Sequence, residues 1–276
     1  MSILHPFRKA RRRKILAERP IPDGLWDWAL AEHRIFRDLD EAERVKLREL
    51  ATIFLGEKTF DPVGGLELDD ETRVSVAAQA VLPLLGLEAG IDWYDDWSTI
   101  IVTEKEYGVK KRDVDEAGVV HEYDDEFAGE AFELGPVALS AVDIEASGWG
   151  DGYNVVIHEM AHKLDYRDGS FDGCPPLHDG MDPEAWRSAF SGAYSDLQAK
   201  LERPASRRAG RRHRGMDPYA AFSPEEFFAV ACEYFYEKPA FLRSVYPDVY
   251  DQLVRFFRRD PGRSGKAPDV RRKRGC

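Results

Sequence analysis

The sequence predicts a helix-rich α+β domain with a small mixed sheet, whose edge strand runs just ahead of the helix that carries the chemistry. Three observations point to this class. Apolar residues recur at helical spacing over several long stretches. Two short extended stretches, around Trp97–Val102 and Gly135–Ser140, read as strands. After the second of these comes Asn154-Val155-Val156-Ile157-His158-Glu159-Met160-Ala161-His162-Lys163-Leu164-Asp165, an apolar helical run interrupted only on one face.

Taken in order, the basic run Arg8–Lys14 reads as part of a solvated, disordered tail over 1–19, and Pro20-Ile21-Pro22 opens the folded body, expected over 20–262. Trp26, Ala29, Leu30, His33, Ile35 and Phe36 mark a first helical region. Asp40 and Glu43 form a D-x-x-E capping box before a helix through Val45, Leu47, Leu50 and Phe54, which Phe60-Asp61-Pro62 breaks. A second apolar helix covers about 72–85 and ends near Gly86. After the strand at 97–102, the acidic stretch 104–133 has no period and reads as loop or hairpin, with His121 in its middle. The short extended segment from Gly135 ends near Asp143, and Gly148, Gly150 and Gly152 turn the chain into the helix of Asn154–Asp165. Helices follow over about 183–201, from Ser223-Pro224 to just before Pro239, and over about 249–258. The segment 203–214 is Arg-rich and poor in apolar residues, so it reads as an exposed insert; 263–276 is a basic tail.

The chain of 276 residues is long enough to bury a sizeable core, and 43% hydrophobic with 33% charged residues describes a globular protein. A formal charge of −12, with its basic residues gathered at the ends and the insert, argues against nucleic acid as a direct partner. Cys174, Cys232 and Cys276 are too few and scattered for a disulfide framework. The apolar stretch Val74–Leu87 is broken by Gln79, Pro83 and Gly86 and too short to span a bilayer, and no secretory apolar core follows the basic start. The expectation is a cytoplasmic protein with no membrane partner.

The chemistry resides in H-E-x-x-H. On a helix, residues four apart share a face, so His158 and His162 offer two imidazole nitrogens to one Zn²⁺ at about 2.0–2.1 Å. Glu159 follows the first of them, placed to take a proton from a water that zinc has acidified, as in metallopeptidases. A chance pair of histidines on a solvated face is the ordinary alternative. The apolar flanks Val155, Val156, Ile157, Met160, Ala161 and Leu164 oppose it, because half-buried imidazoles and carboxylates need partners.

A catalytic zinc takes three protein ligands and keeps a fourth position open. Spacing leaves the third ligand unassigned. Asp168 lies six residues after His162, but the turn back to the metal that this spacing requires calls for Gly where Asp165 stands. Asp165, one turn from His162, suits the role of an acceptor that orients the imidazole. Glu226 and Glu233 share a face of a later helix. Glu226 also completes an S-x-x-E capping signature with Ser223, and Glu233 fits either a ligand or an orienting partner.

Several stretches, in this order, resemble the bacterial family of Mlc titration factor A: Ala77-Ala78-Gln79-Ala80, Asp92-Trp93-Tyr94, Gly135-Pro136-Val137-Ala138-Leu139-Ser140, Ile157–Asp165, Asp217-Pro218-Tyr219-Ala220-Ala221, Pro224–Val230 and Glu233-Tyr234-Phe235. The resemblance implies a zincin-like metallopeptidase fold, related to the catalytic domain of anthrax lethal factor. It makes the Glu that heads E-x-F-A, here Glu226, the third zinc ligand, which leaves Glu233, like Asp165, to orient a ligand from behind. It places Tyr219 where a hydroxyl steadies the oxyanion of the cleaved carbonyl. His121 matches a position linked to the metal in that family; as a ligand it fills the open site and blocks the enzyme, and otherwise it is a loop histidine.

The expectation is therefore a peptidase with one Zn²⁺ per chain on His158, His162 and Glu226, and Glu159 as the base. Val137, Ala138, Leu139 and Ser140 form the edge that holds a peptide as an added strand. The resemblance implies aminopeptidase-like or limited proteolysis of a peptide or protein substrate, and binding of a transcriptional repressor of sugar uptake. The rival is a regulatory, protein-binding module with a structural or vestigial zinc site. Intact Glu159 and Tyr219 favour the enzyme.

Overall fold

A computed structural model describes residues 5–104, 135–202 and 215–263. His121 and most of the acidic stretch around it, the insert 203–214 and the C-terminal segment from 264 lie outside the described residues.

The N-terminal run is not a disordered tail. His5–Glu18 form helix α1, which packs on α3 (Glu41–Glu57). Its charges are not all directed to water: Arg12 meets Glu57 through Nε and Nη2 at 3.0 and 3.1 Å, Asp95 at 2.7 Å, and also Asp92. Arg8 adds a second contact to Asp95, and Ile15 is buried where Gly56 of α3 makes room; a Cβ there would lie 2.6 Å from the Ile15 side chain. Residues 8, 12 and 15 thus form one inward stripe of helical period. The carboxylates lie 45 to 87 residues away in the chain, which is why a charge run read locally as solvated proves to be docked. Arg12→Ala leaves three partly buried carboxylates facing one another. It is expected to cost about 2–3 kcal/mol in chemical denaturation, below the 3–5 of a fully buried pair because these groups keep some solvent.

Asp40 caps α3 as the sequence predicts. Its side chain accepts from the Glu43 N–H at 2.8 Å, and the Glu43 carboxylate accepts from the Asp40 N–H at 3.0 Å. Helices α2 (Asp23–Glu32) and α4 (Asp70–Val81) pack together, and α4 also packs on α3. Phe60-Asp61-Pro62 does not merely break a helix: Thr59–Pro62 is strand β1. It pairs in parallel with β2 (Thr99–Thr103), which pairs in parallel with β3 (Val137–Ser140). Asp61, Ile101 and Ala138 lie in register. The expected mixed sheet is, among the described residues, wholly parallel, because α4 returns the chain from β1 to β2 as a crossover. Pro62 is tolerated in β1 because that strand ends the sheet order and needs no donor on its outer side.

Strand β3 stops at Ser140 rather than near Asp143. Ser140 caps the short helix α5 (Ala141–Ala146), its Oγ accepting from the Asp143 N–H at 3.0 Å. The following turn needs left-handed backbone at Gly148 (φ 90°) and Gly152 (φ 101°), and a Cβ on Gly148 would lie 2.4 Å from His33 Nδ1. Helix α6 (Val155–Asp165) then runs between α4 and α8 (Pro224–Glu237), with β3 alongside. Helix α7 (Pro183–Glu202) packs on α8. Pro239 is not only a stop: it opens α9 (Pro239–Val245), and Pro247 opens α10 (Pro247–Phe257), each at a position whose N–H is not needed. A core of Phe227, Phe228, Phe235, Phe256, Phe257 and Trp186 fixes α8 against α7 and α10. No helix among the described residues is long and apolar enough to cross a membrane.

Candidate metal centre

Helix α6 begins where Asn154 caps it, the side-chain oxygen accepting from the Ile157 N–H at 2.9 Å. Val156, Ile157, Met160, Ala161 and Leu164 bury one side of the helix, and His158 and His162 share another. Their ring centroids are 4.8 Å apart and their Nε2 atoms 3.2 Å apart. From α8, Glu226 Oε2 comes within 3.1 Å of His158 Nε2 and 3.5 Å of His162 Nε2. Among the described residues these three form the group of His, Cys and carboxylate atoms placed to hold a metal ion.

The residues fit zinc on two observations. Tetrahedral bonds of about 2.0–2.1 Å set ligand atoms about 3.3–3.4 Å apart, and the three separations here, 3.1, 3.2 and 3.5 Å, bracket that edge. Glu226 Oε2 is also buried and, despite both nitrogens nearby, forms no directed hydrogen bond. The three atoms stand at near-equal separations, as the ligands of one ion would. Burial, which alone raises a carboxyl pKa, is outweighed at Glu226 by His158 and His162, so its pKa lies well below the usual range.

The Ser223 cap forms without engaging the Glu226 side chain. Ser223 Oγ accepts from the Glu226 backbone N–H at 3.4 Å, while the Glu226 side chain turns to the imidazoles. Glu233, two turns on, stands behind His158: its Oε1 is 2.9 Å from His158 Nδ1 and its Oε2 accepts from the Asn154 N–H. In the neutral imidazole that bond favours the proton on Nδ1, which leaves Nε2 able to bind a metal. With no metal bound, burial lowers the His158 pKa but Glu226 and Glu233 outweigh it, so the net shift is well upward.

Sequence reasoning missed the frame behind this site. Asn154 Nδ2 donates to Gln79 of α4 at 2.8 Å and to Glu237 of α8 at 2.9 Å, and all three are buried. Glu226, Glu233 and Glu237 share a stripe of an otherwise aromatic helix, and Asn directly ahead of an apolar helical run is a capping signal. Those two features were readable. Gln79 carries no local signal.

Asp165 and Asp168 do not join the centre. Asp168 Oδ1 accepts from the Ser170 N–H and hydroxyl at 3.1 and 2.7 Å and closes its own exposed turn. Asp165 does not orient His162 as expected: its Oδ2 accepts from the Gly173 N–H at 2.9 Å, which anchors the loop after α6. Its Oδ1 and His162 Nδ1 are both buried and make no hydrogen bond among the described residues. Burial pushes the Asp165 pKa up to about 7. Glu159 is half-buried on α6 and acts electrostatically on both Tyr219 and Lys163. The Tyr219 ring lies 6.0 Å from that of His158, on a turn that Asp217 fixes by accepting from the Tyr219 N–H at 2.9 Å. Burial and the neighbouring Glu226 carboxylate push its hydroxyl pKa far up, so it stays a proton donor. Among the described residues strand β3 ends the sheet order on the side nearer α6; Val137, Leu139 and Ser140 are buried and Ala138 is half-buried.

Two imidazoles on one helix and a carboxylate from a second, on a helix-rich zincin-like α+β scaffold, are the equipment of a metallopeptidase. The chain belongs to the family described as glucose-regulated metallo-peptidase M90, whose model matches residues 7–258. It is 32% identical over 236 residues to Mlc titration factor A of Escherichia fergusonii, covering 86% of both chains. It is 33% identical over 247 residues to Mlc titration factor A of Yersinia pestis, covering 89% of this chain and 88% of that one. For the Salmonella arizonae protein of the same name the identity is 31% over 239 residues, covering 87% and 92%. The family expected from the scattered sequence matches is thereby established, and all but the first two residues of α1 fall inside the matched region.

Proposed function

We propose that the protein is a zinc-dependent peptidase holding one Zn²⁺ through His158, His162 and Glu226, and acting on peptides by aminopeptidase-like or limited proteolysis. The observation that carries this reading is the convergence of three ligand atoms, on half-buried side chains, at tetrahedral spacing beside a glutamate that is not one of them. Zinc bound there supplies Lewis-acid polarisation of a carbonyl and a water acidic enough to lose a proton near neutral pH. Glu159 is the base placed to take a proton from an attacking water and pass it to the leaving amine. The Tyr219 hydroxyl donates to the carbonyl oxygen as it gains negative charge. Glu233 keeps His158 in the tautomer that binds metal through Nε2. The β3 edge from Val137 to Ser140 holds the substrate backbone as an added strand. Scattered cysteines, with Cys174 and Cys232 free, support a reducing, cytoplasmic setting.

Chelation tests this. Purified protein is expected to contain about one zinc per chain, to lose peptide cleavage with a strong chelator, and to recover it with added Zn²⁺. Full activity in protein shown to be metal-free sinks the reading.

The name shared by the relatives supports a second role: a factor that titrates Mlc must bind it. On that reading this chain also binds a transcriptional repressor, and binding needs a surface rather than turnover. Both roles fit in one molecule.

A further inference from the structure

Each imidazole of the centre is backed by an aromatic pair, but the pairs differ. Beside His162, the Phe171 ring stands edge-on at 6.0 Å and stacks on Tyr166 at 4.7 Å; both rings are half-buried and engaged. Beside His158, the Tyr219 ring lies at 6.0 Å and Phe222 lies nearly parallel to it, 6.1 Å away with 11° between the planes. Phe222 is 65% exposed, and its one ring contact among the described residues is Tyr219. A scattered exposed apolar residue needs no explanation. An exposed phenyl that continues the aromatic surface of a metal centre out to solvent is different, because it offers apolar area where a bound chain must pass. Its backbone is fixed: the Phe222 N–H donates to the Tyr219 carbonyl at 3.0 Å, at the end of the turn Pro218–Ala221 that leads into α8.

We infer that Phe222, with the face of Tyr219, forms a side-chain subsite beside the metal centre that takes an aromatic or large aliphatic residue of a bound peptide. Resting on the peptidase reading, this gives it a substrate class: peptides with a bulky apolar side chain next to the cleaved bond. The chemistry is burial of apolar area on both partners, with an offset ring contact for aromatic side chains. A small or acidic side chain gains neither, and an acidic one also meets the carboxylates of Glu225 and Glu226 that follow Phe222.

The test uses peptides that differ only at one position flanking the cleaved bond, carrying Phe, Leu, Ala or Asp. Wild-type zinc protein gives kcat and KM; zinc-loaded Glu159→Gln protein gives binding of the same peptides by fluorescence anisotropy. Phe and Leu are expected to bind about 10–100-fold more tightly than Ala, mainly through KM. Phe222→Ala is expected to shrink that preference to within about threefold, and Phe222→Leu to restore most of it. Zinc content and thermal melting should not move, since the side chain is exposed, and Phe222→Ser serves if the alanine variant misfolds. Cleavage or binding with no apolar preference, or a preference that survives Phe222→Ala, overturns the subsite alone. Wild-type zinc protein that neither cleaves nor binds any of the peptides overturns the peptidase reading, and the subsite with it.

Discussion

Glu159→Gln is expected to leave about one zinc per chain and an unchanged fold, while peptide cleavage falls by about 10²–10⁴-fold. Gln matches Glu in shape and nearly in helix propensity, so α6 should not notice the change. The metal should not either, since the converging atoms belong to His158, His162 and Glu226. What disappears is the one group on that face of α6 able to take a proton from water and give it to an amine. Binding to a repressor partner should persist, because a docking surface has no need of that proton. Metal content, turnover and partner binding measured on one preparation therefore separate the two roles. Retained zinc with undiminished turnover would show that the cleavage comes from elsewhere. Partner binding intact in a wild-type protein that cleaves nothing would leave the regulatory role standing alone.

What could be read from the sequence, and what could not, divides along distance in the chain. The helix that carries His158, Glu159 and His162, with both histidines on one face, was legible because an i, i+4 pair is decided within one helical turn. The Asp40–Glu43 box was legible for the same reason, and the structure forms both of its bonds. Strand β1 was not: four residues containing Asp and Pro carry little strand propensity, and only pairing with β2 makes them one. Helix α1 was not, because Glu57, Asp92 and Asp95 lie far along the chain from Arg12. Glu226 is the instructive case. Spacing set a capping Glu226 against a ligating Glu226 as alternatives, but a cap draws on the backbone N–H and a metal site on the side chain, so the two do not compete: the cap forms and the side chain faces the imidazoles. The frame of Gln79, Asn154 and Glu237 joins residues 75 and 83 apart and shows only once the helices are packed.

The substitutions behind the metal should grade by distance from it. Glu226→Gln keeps the backbone cap from Ser223 but replaces an anionic ligand with a neutral amide. It should weaken zinc binding by more than the 10–100-fold usual for losing an orienting partner. Glu233→Gln should fall within that 10–100-fold, since it disturbs the hydrogen bonds to His158 and to the Asn154 N–H but removes no ligand atom. Asp168→Asn should change nothing, its carboxylate being committed to Ser170. The pH dependence supplies an independent check. In the metal-free protein Glu226 and Glu233 hold a proton on His158 above the ordinary imidazole range, and zinc must displace it. Affinity should therefore fall as pH drops through that raised value, a decline that begins above about 6.5. Removing either carboxylate lowers the His158 pKa, so the decline should move to lower pH in both variants even as overall affinity drops. Competition titrations against a chromophoric chelator from pH 6 to 9 measure both effects. If Glu226→Gln binds zinc like the wild type while Asp168→Asn does not, the third ligand is Asp168 and the convergence at Glu226 is packing.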